Sequence, residues 1–148
     1  MAILAAPTRI GGAGSGYVIS HNIYSFNTTN GSPSYLHFKT NVPTTLEKIF
    51  MIEAEGYNYG GSLPILCAWG IYTNGVGVVS LGLHTPAGTG LNADGIYKSS
   101  DNYACIRAYY GTHYYTGFVL HAYASAQFTP SPITILAAAQ SDNSGAYY

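Results

Sequence analysis

In YLHFKTNV, Leu36 and Phe38 alternate with His37 and Lys39, the period-2 pattern of a strand that buries one face. KIFMIEAEGYNYG continues the theme. Phe50, Ile52, Ala54 and Gly56 share one face and Met51, Glu53, Glu55 and Tyr57 the other, so this strand has an apolar inside and a wetter outside. Further alternating runs stand at PILCAWGIYT, VGVVSLGL, NYACIRAYY, YYTGFVLHAYA and PITILAAA. Between the runs lie Asn-Gly, Pro-Ala-Gly, Asn-Ala-Asp-Gly and Ser-Ser-Asp-Asn clusters, which are turn chemistry. Strands of roughly five to ten residues at this spacing, with no long run of helical periodicity, predict an all-β fold: an antiparallel β-sandwich or a jelly-roll-like domain. The sharpest hairpin signal is YTNGVG, where Asn74-Gly75 suits the positive φ angles of a two-residue primed turn and joins the Trp69 strand to the Val78 strand.

A chain of 148 residues makes about one domain. Its composition changes the picture of the surface. Only 7% of residues are charged, against about a quarter in an average soluble domain. Such a protein meets water with hydroxyls, amides and apolar groups, which favours association and predicts a surface covered by partners. With a net charge of −1 and five basic residues, the chain cannot neutralise a run of phosphates, so nucleic acid is excluded as a partner.

The N-terminal stretch MAILAAPTRIGGAGSG has an apolar tip that Pro7 and Arg9 interrupt far short of membrane-spanning length, and no basic residue precedes the tip. Neither a signal peptide nor a membrane anchor is expected. The Gly/Ala/Ser content of residues 11–16 reads as a flexible connector. The division that follows is an extended N-terminal arm over residues 1–16, docking onto a neighbouring protein, and a single β-sandwich domain over residues 17–148.

Candidate chemistry is thin. Glu53 and Glu55 point the same way from one strand, roughly 7 Å apart by strand rise. That is the makings of a glycosidase pair, but such pairs more commonly form the polar outside of a sheet. His21, His37, His84, His113 and His121 fall at no local metal-ligand spacing, so a metal site would have to be assembled from distant strands; exposed or hydrogen-bonded histidines are the simpler reading. Cys67 and Cys105 sit inside apolar runs and read as buried free thiols, a cross-strand disulfide being the alternative. No nucleophile elbow and no phosphate-cradling loop is present. No enzyme, cofactor or metal is predicted.

Tyrosine remains. Fifteen of them, with Trp69, make a population of rings that bury a body and keep a polar tip. The candidate contact residues are Tyr57, Tyr59, Trp69, Tyr72, Tyr109, Tyr110, Tyr114 and Tyr115. For YYGTHYY three readings stand open: sheet core with hydroxyls at the rim, subunit interface, and ligand surface. The adjacent pairs Tyr109-Tyr110 and Tyr114-Tyr115 each place a ring on either face of a strand, which calls for cover on both faces.

The succession YLHFKTNVP, FMIEAEGYNYG, WGIYT, IYKSSDNYACIRAYY and YYTGFVLHAYAS, in order over residues 34–126, resembles a domain of tailed-bacteriophage structural proteins. Cys105 and Arg107 depart from it, standing where aliphatic residues are expected. The resemblance implies a non-catalytic virion surface protein. With the chain beginning at Met1, it would be a small trimeric fibre, an appendage tip or a capsid-decoration protein, attached to other virion proteins through its N-terminal arm and taking part in host attachment. The alternative is a lectin-like module that binds host surface glycans, with Tyr57, Tyr59 and Trp69 stacking on sugar faces.

Overall fold

In the computed structural model of the chain, which describes residues 8–10, 17–59, 63–111, 113–125 and 132–148, antiparallel strands form two sheets packed face to face. The strands are β1 (Thr8–Ile10), β2 (Tyr17–Gly31), β3 (Ser34–Pro43), β4 (Glu47–Asn58), β5 (Leu63–Asn74), β6 (Val78–His84), β7 (Asn92–Lys98), β8 (Tyr103–Tyr110), β9 (His113–Ser125) and β10 (Ile135–Ser141). One sheet has six strands in the order β1-β2-β9-β4-β5-β6 and the other has four in the order β10-β3-β8-β7. No α-helix occurs among the described residues. The expected all-β sandwich is the fold.

Alternation decides what lies between the sheets. Phe50, Ile52 and Ala54 on β4 meet Ile65, Cys67, Trp69 and Ile71 on β5 and Phe118, Leu120 and Ala122 on β9. Across the gap stand Leu36 and Phe38 from β3 with Ala104, Ile106, Ala108 and Tyr110 from β8. Burying each large side chain contributes about 1.5–3 kcal/mol. Trp69 also ties the layers together, because its indole N–H donates to the Arg107 carbonyl at 2.9 Å. Glycine sets one close approach: a Cβ on Gly56 would stand 2.1 Å from the Gly117 carbonyl oxygen and 2.5 Å from the Phe118 Cα. Only a residue without a side chain lets β4 and β9 pair there.

The turns differ from expectation in two places. At Asn74-Gly75 only Gly75 takes a positive φ (88°), and Val76 and Gly77 complete a longer loop between β5 and β6. The Asn74 side chain accepts hydrogen bonds from the Val76 and Gly77 N–H groups, at 3.2 and 2.9 Å, so it caps the loop instead of entering the left-handed region. Asn-Ala-Asp-Gly is not a turn but the start of β7. A bulge between Ala93 and Gly95 absorbs Asp94, whose carboxylate then takes the Arg107 guanidinium. Ser99–Asn102 is the turn its composition predicts: the Ser99 hydroxyl donates to Asp101, the Tyr103 N–H donates to Ser99 Oγ, and Asn102 adopts φ 66°.

β2 has no counterpart among the expected strands. It pairs with β9 along most of its length, but the register shifts between Ser20 and Tyr24, and Asn22 lies at φ 52°. That bulge interrupts the alternation that would have marked it. Of the proposed N-terminal arm, residues 1–7 and 11–16 lie outside the described residues. Thr8–Ile10 form β1 and pair with Tyr17–Ile19 at the edge of the larger sheet.

His37, placed by its parity on a wetter face, is fully buried. The chain's own C-terminus covers it. Tyr147 packs on the His37 ring with centroids 5.4 Å apart, and the Tyr148 carbonyl accepts a hydrogen bond from the Ser100 N–H at 3.1 Å. The Ser144 carbonyl accepts one from Arg107. Beneath this tail, His37 bonds to the Tyr97 hydroxyl at 3.0 Å and to Ser141 Oγ at 2.8 Å. The same cover accounts for the unexpected residues on β8. Arg107 is held by Asp94 and Ser144 and lies over the Tyr35 ring. Cys105 is buried and free, as is Cys67. Burial is the main cause that pushes the two thiols up, to about 11 and about 12 respectively.

Candidate functional site: the open face of the six-stranded sheet

The outer face of the four-stranded sheet is roofed by the C-terminal tail; that of the six-stranded sheet faces solvent. Pairing puts the outward residues of β4 beside those of its neighbours: Glu53 opposite Ala68 and His121, Glu55 opposite Leu66 and Val119, and Tyr57 opposite Pro64 and Gly117. Ile49, Met51, Leu66, Val79 and Leu81 are exposed. The face is therefore apolar and ring-bearing, with two carboxylates near its middle.

At one end of this face the tyrosines gather. Tyr57 is 53% exposed, Tyr59 67% and Tyr115 57%. A Cβ added to Gly117 would stand 3.2–3.3 Å from Cε1, Cζ and the hydroxyl oxygen of Tyr57, so Tyr57 lies against bare backbone and turns its other side outward. Shallow hollows of about 360 Å³ flank it. One is lined by Tyr59, Leu63 and Pro64, the other by Ser25, Asn27, Glu55, Gly117 and Val119. Tyr59 and Tyr115 meet edge to face at 6.1 Å. Tyr115, at φ 44°, has the outward parity of Gly117; Tyr114 and Tyr115 are both exposed, so this pair lacks the cover expected on both faces.

The other candidates are elsewhere. Trp69 and Tyr110 are buried between the sheets, where neither touches a ligand or a partner; burial raises the Tyr110 hydroxyl. The parity of Ile65, Cys67, Trp69 and Ile71 on β5 carries the signal that assigns Trp69 to the core. Tyr72 is half-buried and opposes Ile49, well along the sheet from Tyr57. Tyr109 packs on Tyr35 at 5.0 Å in the other sheet. The eight candidates thus divide, and Tyr57, Tyr59 and Tyr115 make the cluster. Sequence reading missed the residues that shape it, Gly117 beneath the ring and Ser25 and Asn27 on the unanticipated β2.

Glu53 and Glu55 stand on the open face, and the hollow that Glu55 lines is shallow. Tyr123, beside them, has its hydroxyl pKa raised by burial and then by the two negative charges. Glu55 Oε2 is 3.9 Å from His121 Nε2. Among the described residues, no group of three or more His, Cys, Asp or Glu is arranged to hold a metal. No protein family, curated protein or solved structure matches the chain.

Proposed function

We propose that this chain is a structural component of a tailed-bacteriophage particle, a small fibre, appendage or capsid-decoration protein that assembles as a homotrimer. The observation that carries the reading is the uneven covering of the sandwich. One outer face is roofed by the chain itself, while the other leaves Met51, Leu66, Val79 and Leu81 to water among tyrosines. Contiguous apolar area of that kind marks an interaction surface on a protein this poor in charge. The threefold symmetry and the particle surface come from the resemblance of residues 34–126 to phage structural domains. Subunits held at high local concentration on a particle gain stability from their neighbours by mass action. Sedimentation equilibrium of the purified chain at micromolar concentration tests this: a trimer is expected, and a folded monomer would overturn it.

A second reading has its own observation. Tyr57 lies on Gly117 with hollows on both sides and Glu55, Ser25 and Asn27 at the rim, an arrangement suited to a sugar ring that stacks by its apolar face and hydrogen-bonds by its edge. Binding on a glycan array that disappears in Tyr57→Ala and Tyr59→Ala variants of unchanged thermal midpoint is its expected signature. Equal binding by parent and variants would remove it.

A further inference from the structure

On the outer face of the six-stranded sheet, at the seam between β2 and β9, two histidines a hundred positions apart in sequence come together. His21 Nδ1 and His121 Nδ1 are 3.3 Å apart, the rings edge to face with centroids at 5.3 Å. The β2 bulge produces the contact. Ser20 pairs with Ala122 and Tyr24 with Leu120, so His21, Asn22 and Ile23 all oppose His121, and Asn22 takes a left-handed φ of 52°. A bulge re-aims a side chain that regular pairing would direct elsewhere, and here it swings one imidazole onto another.

Hydrogen bonding accounts poorly for the pair. The Asn22 N–H also points at His121 Nδ1, at 3.3 Å. An imidazole nitrogen has one in-plane lone pair, and both contacts are longer than a good N–H donor makes. The separation matches something else. Two nitrogens bound to one tetrahedral zinc at about 2.0–2.1 Å stand about 3.3–3.4 Å apart. In neighbouring positions of a square-planar ion at the same bond length they would be drawn to about 2.9 Å. On the far side of the His121 ring, Glu55 Oε2 lies 3.9 Å from Nε2. That is beyond hydrogen-bond reach, but a carboxylate beside the ring adds a negative charge that favours a bound cation. Glu53, directly opposite His121 in the ladder, adds a second negative charge nearby.

We infer that His21 and His121 form a surface site for a divalent zinc ion, bound through the two Nδ1 atoms, with the Glu55 carboxylate as a nearby negative charge. Two protein ligands leave two positions of the tetrahedron to water or to a donor from another molecule. When zinc binds, the Asn22 N–H gives up His121 for solvent, a small loss at an exposed bulge. Local sequence spacing gives no sign of the site, because strand pairing and a bulge create it. The inference does not rest on the assembly proposed above, although the site lies on the same face of the six-stranded sheet.

The test is zinc titration of the tag-free full chain by isothermal calorimetry, in a buffer that does not chelate metal. One site per chain is expected. His21→Gln and His121→Gln should each weaken binding at least about tenfold. Glu55→Gln, which removes a nearby exposed charge, should weaken it by less than about tenfold. His84→Gln, an exposed histidine on β6, should leave it unchanged. Cobalt in the same site should give the intense visible bands of tetrahedral coordination. His21 is exposed, so its variant carries the test even where His121→Gln impairs folding. Absence of zinc binding by the parent, or binding retained in His21→Gln, would overturn the inference.

Discussion

Gly56 is where a single atom has the largest structural consequence. Its missing Cβ is what allows the Gly117 carbonyl and the Phe118 Cα to come close, and both obstacles are backbone, which cannot rotate away. Gly56→Ala must therefore open the β4–β9 ladder. Overpacking of this kind costs about 1–3 kcal/mol or more, a fall of roughly 3–10 °C in the thermal midpoint at this chain length. Differential scanning calorimetry reads it directly, and an unchanged midpoint would show that the ladder has slack. His37 makes a second residue-scale case, through pH. Burial first, then the nearby Arg107 cation, lowers its pKa below the ordinary 6.5, with Asp94 opposing. The unfolded chain takes up a proton near pH 6.5 that the folded chain refuses. The resulting contribution to stability is whole above that pH and declines as pH falls from about 6.5 toward the folded value. Thermal midpoints measured from pH 7.5 downward should fall more steeply in the parent than in His37→Gln, which has no proton to gain. Parallel slopes would assign the effect to other groups.

At the scale of elements, the C-terminal tail behaves as a roof whose removal has a chemical reporter. Residues 142–148 carry the Ser144 and Tyr147 contacts to Arg107 and His37, and Lys39 lies over the Tyr148 ring at 5.8 Å. Cys105 is buried under this side of the four-stranded sheet, whereas Cys67 faces the core between the sheets. A chain ending at Ser141 should expose Cys105 to a thiol reagent while Cys67 stays unreactive until global unfolding; equal protection of both thiols would mean that Tyr97 and its neighbours cover Cys105 without the tail. This tail also marks the limit of what sequence discloses. β3, β4, β5, β8 and β9 are legible because each buries one face, so apolar residues recur at every second position. β2 and β7 are not, since bulges at Asn22 and Asp94 break the period and a strand containing Asn-Ala-Asp-Gly looks like a turn. SDNSGAYY has no period at all, so nothing in it announces that it will bury His37. The tyrosine cluster is half legible for the same reason. Tyr57 follows from the parity of β4 and Tyr115 from that of β9, but the exposure of Tyr114 does not, and Trp69 stands among the candidates by residue type against the parity of its own strand.

The whole molecule is a sandwich covered on one side by itself and on the other by solvent, and that asymmetry locates the proposed assembly. With copies packed on the six-stranded face, Met51 and Leu66 lie inside the contact, whereas Leu136 on β10, exposed to a similar degree as Leu66, lies on the other sheet. Replacing exposed side chains changes the stability of the isolated subunit by about 0.5 kcal/mol or less. An ammonium buried between subunits costs several kcal/mol, which the Glu55 carboxylate opposite position 66 repays only in part because it is desolvated with it, and each 1.4 kcal/mol raises the dissociation constant about tenfold. The Met51→Lys, Leu66→Lys double variant should therefore sediment as a folded monomer at concentrations where the parent is trimeric, with the thermal transition no longer dependent on concentration. Leu136→Lys should remain a trimer. The reverse pattern, with assembly lost only in Leu136→Lys, would move the interface to the edge of the four-stranded sheet. Trimers persisting in both would mean that neither face holds the copies together, and that the open sheet is covered by a different molecule.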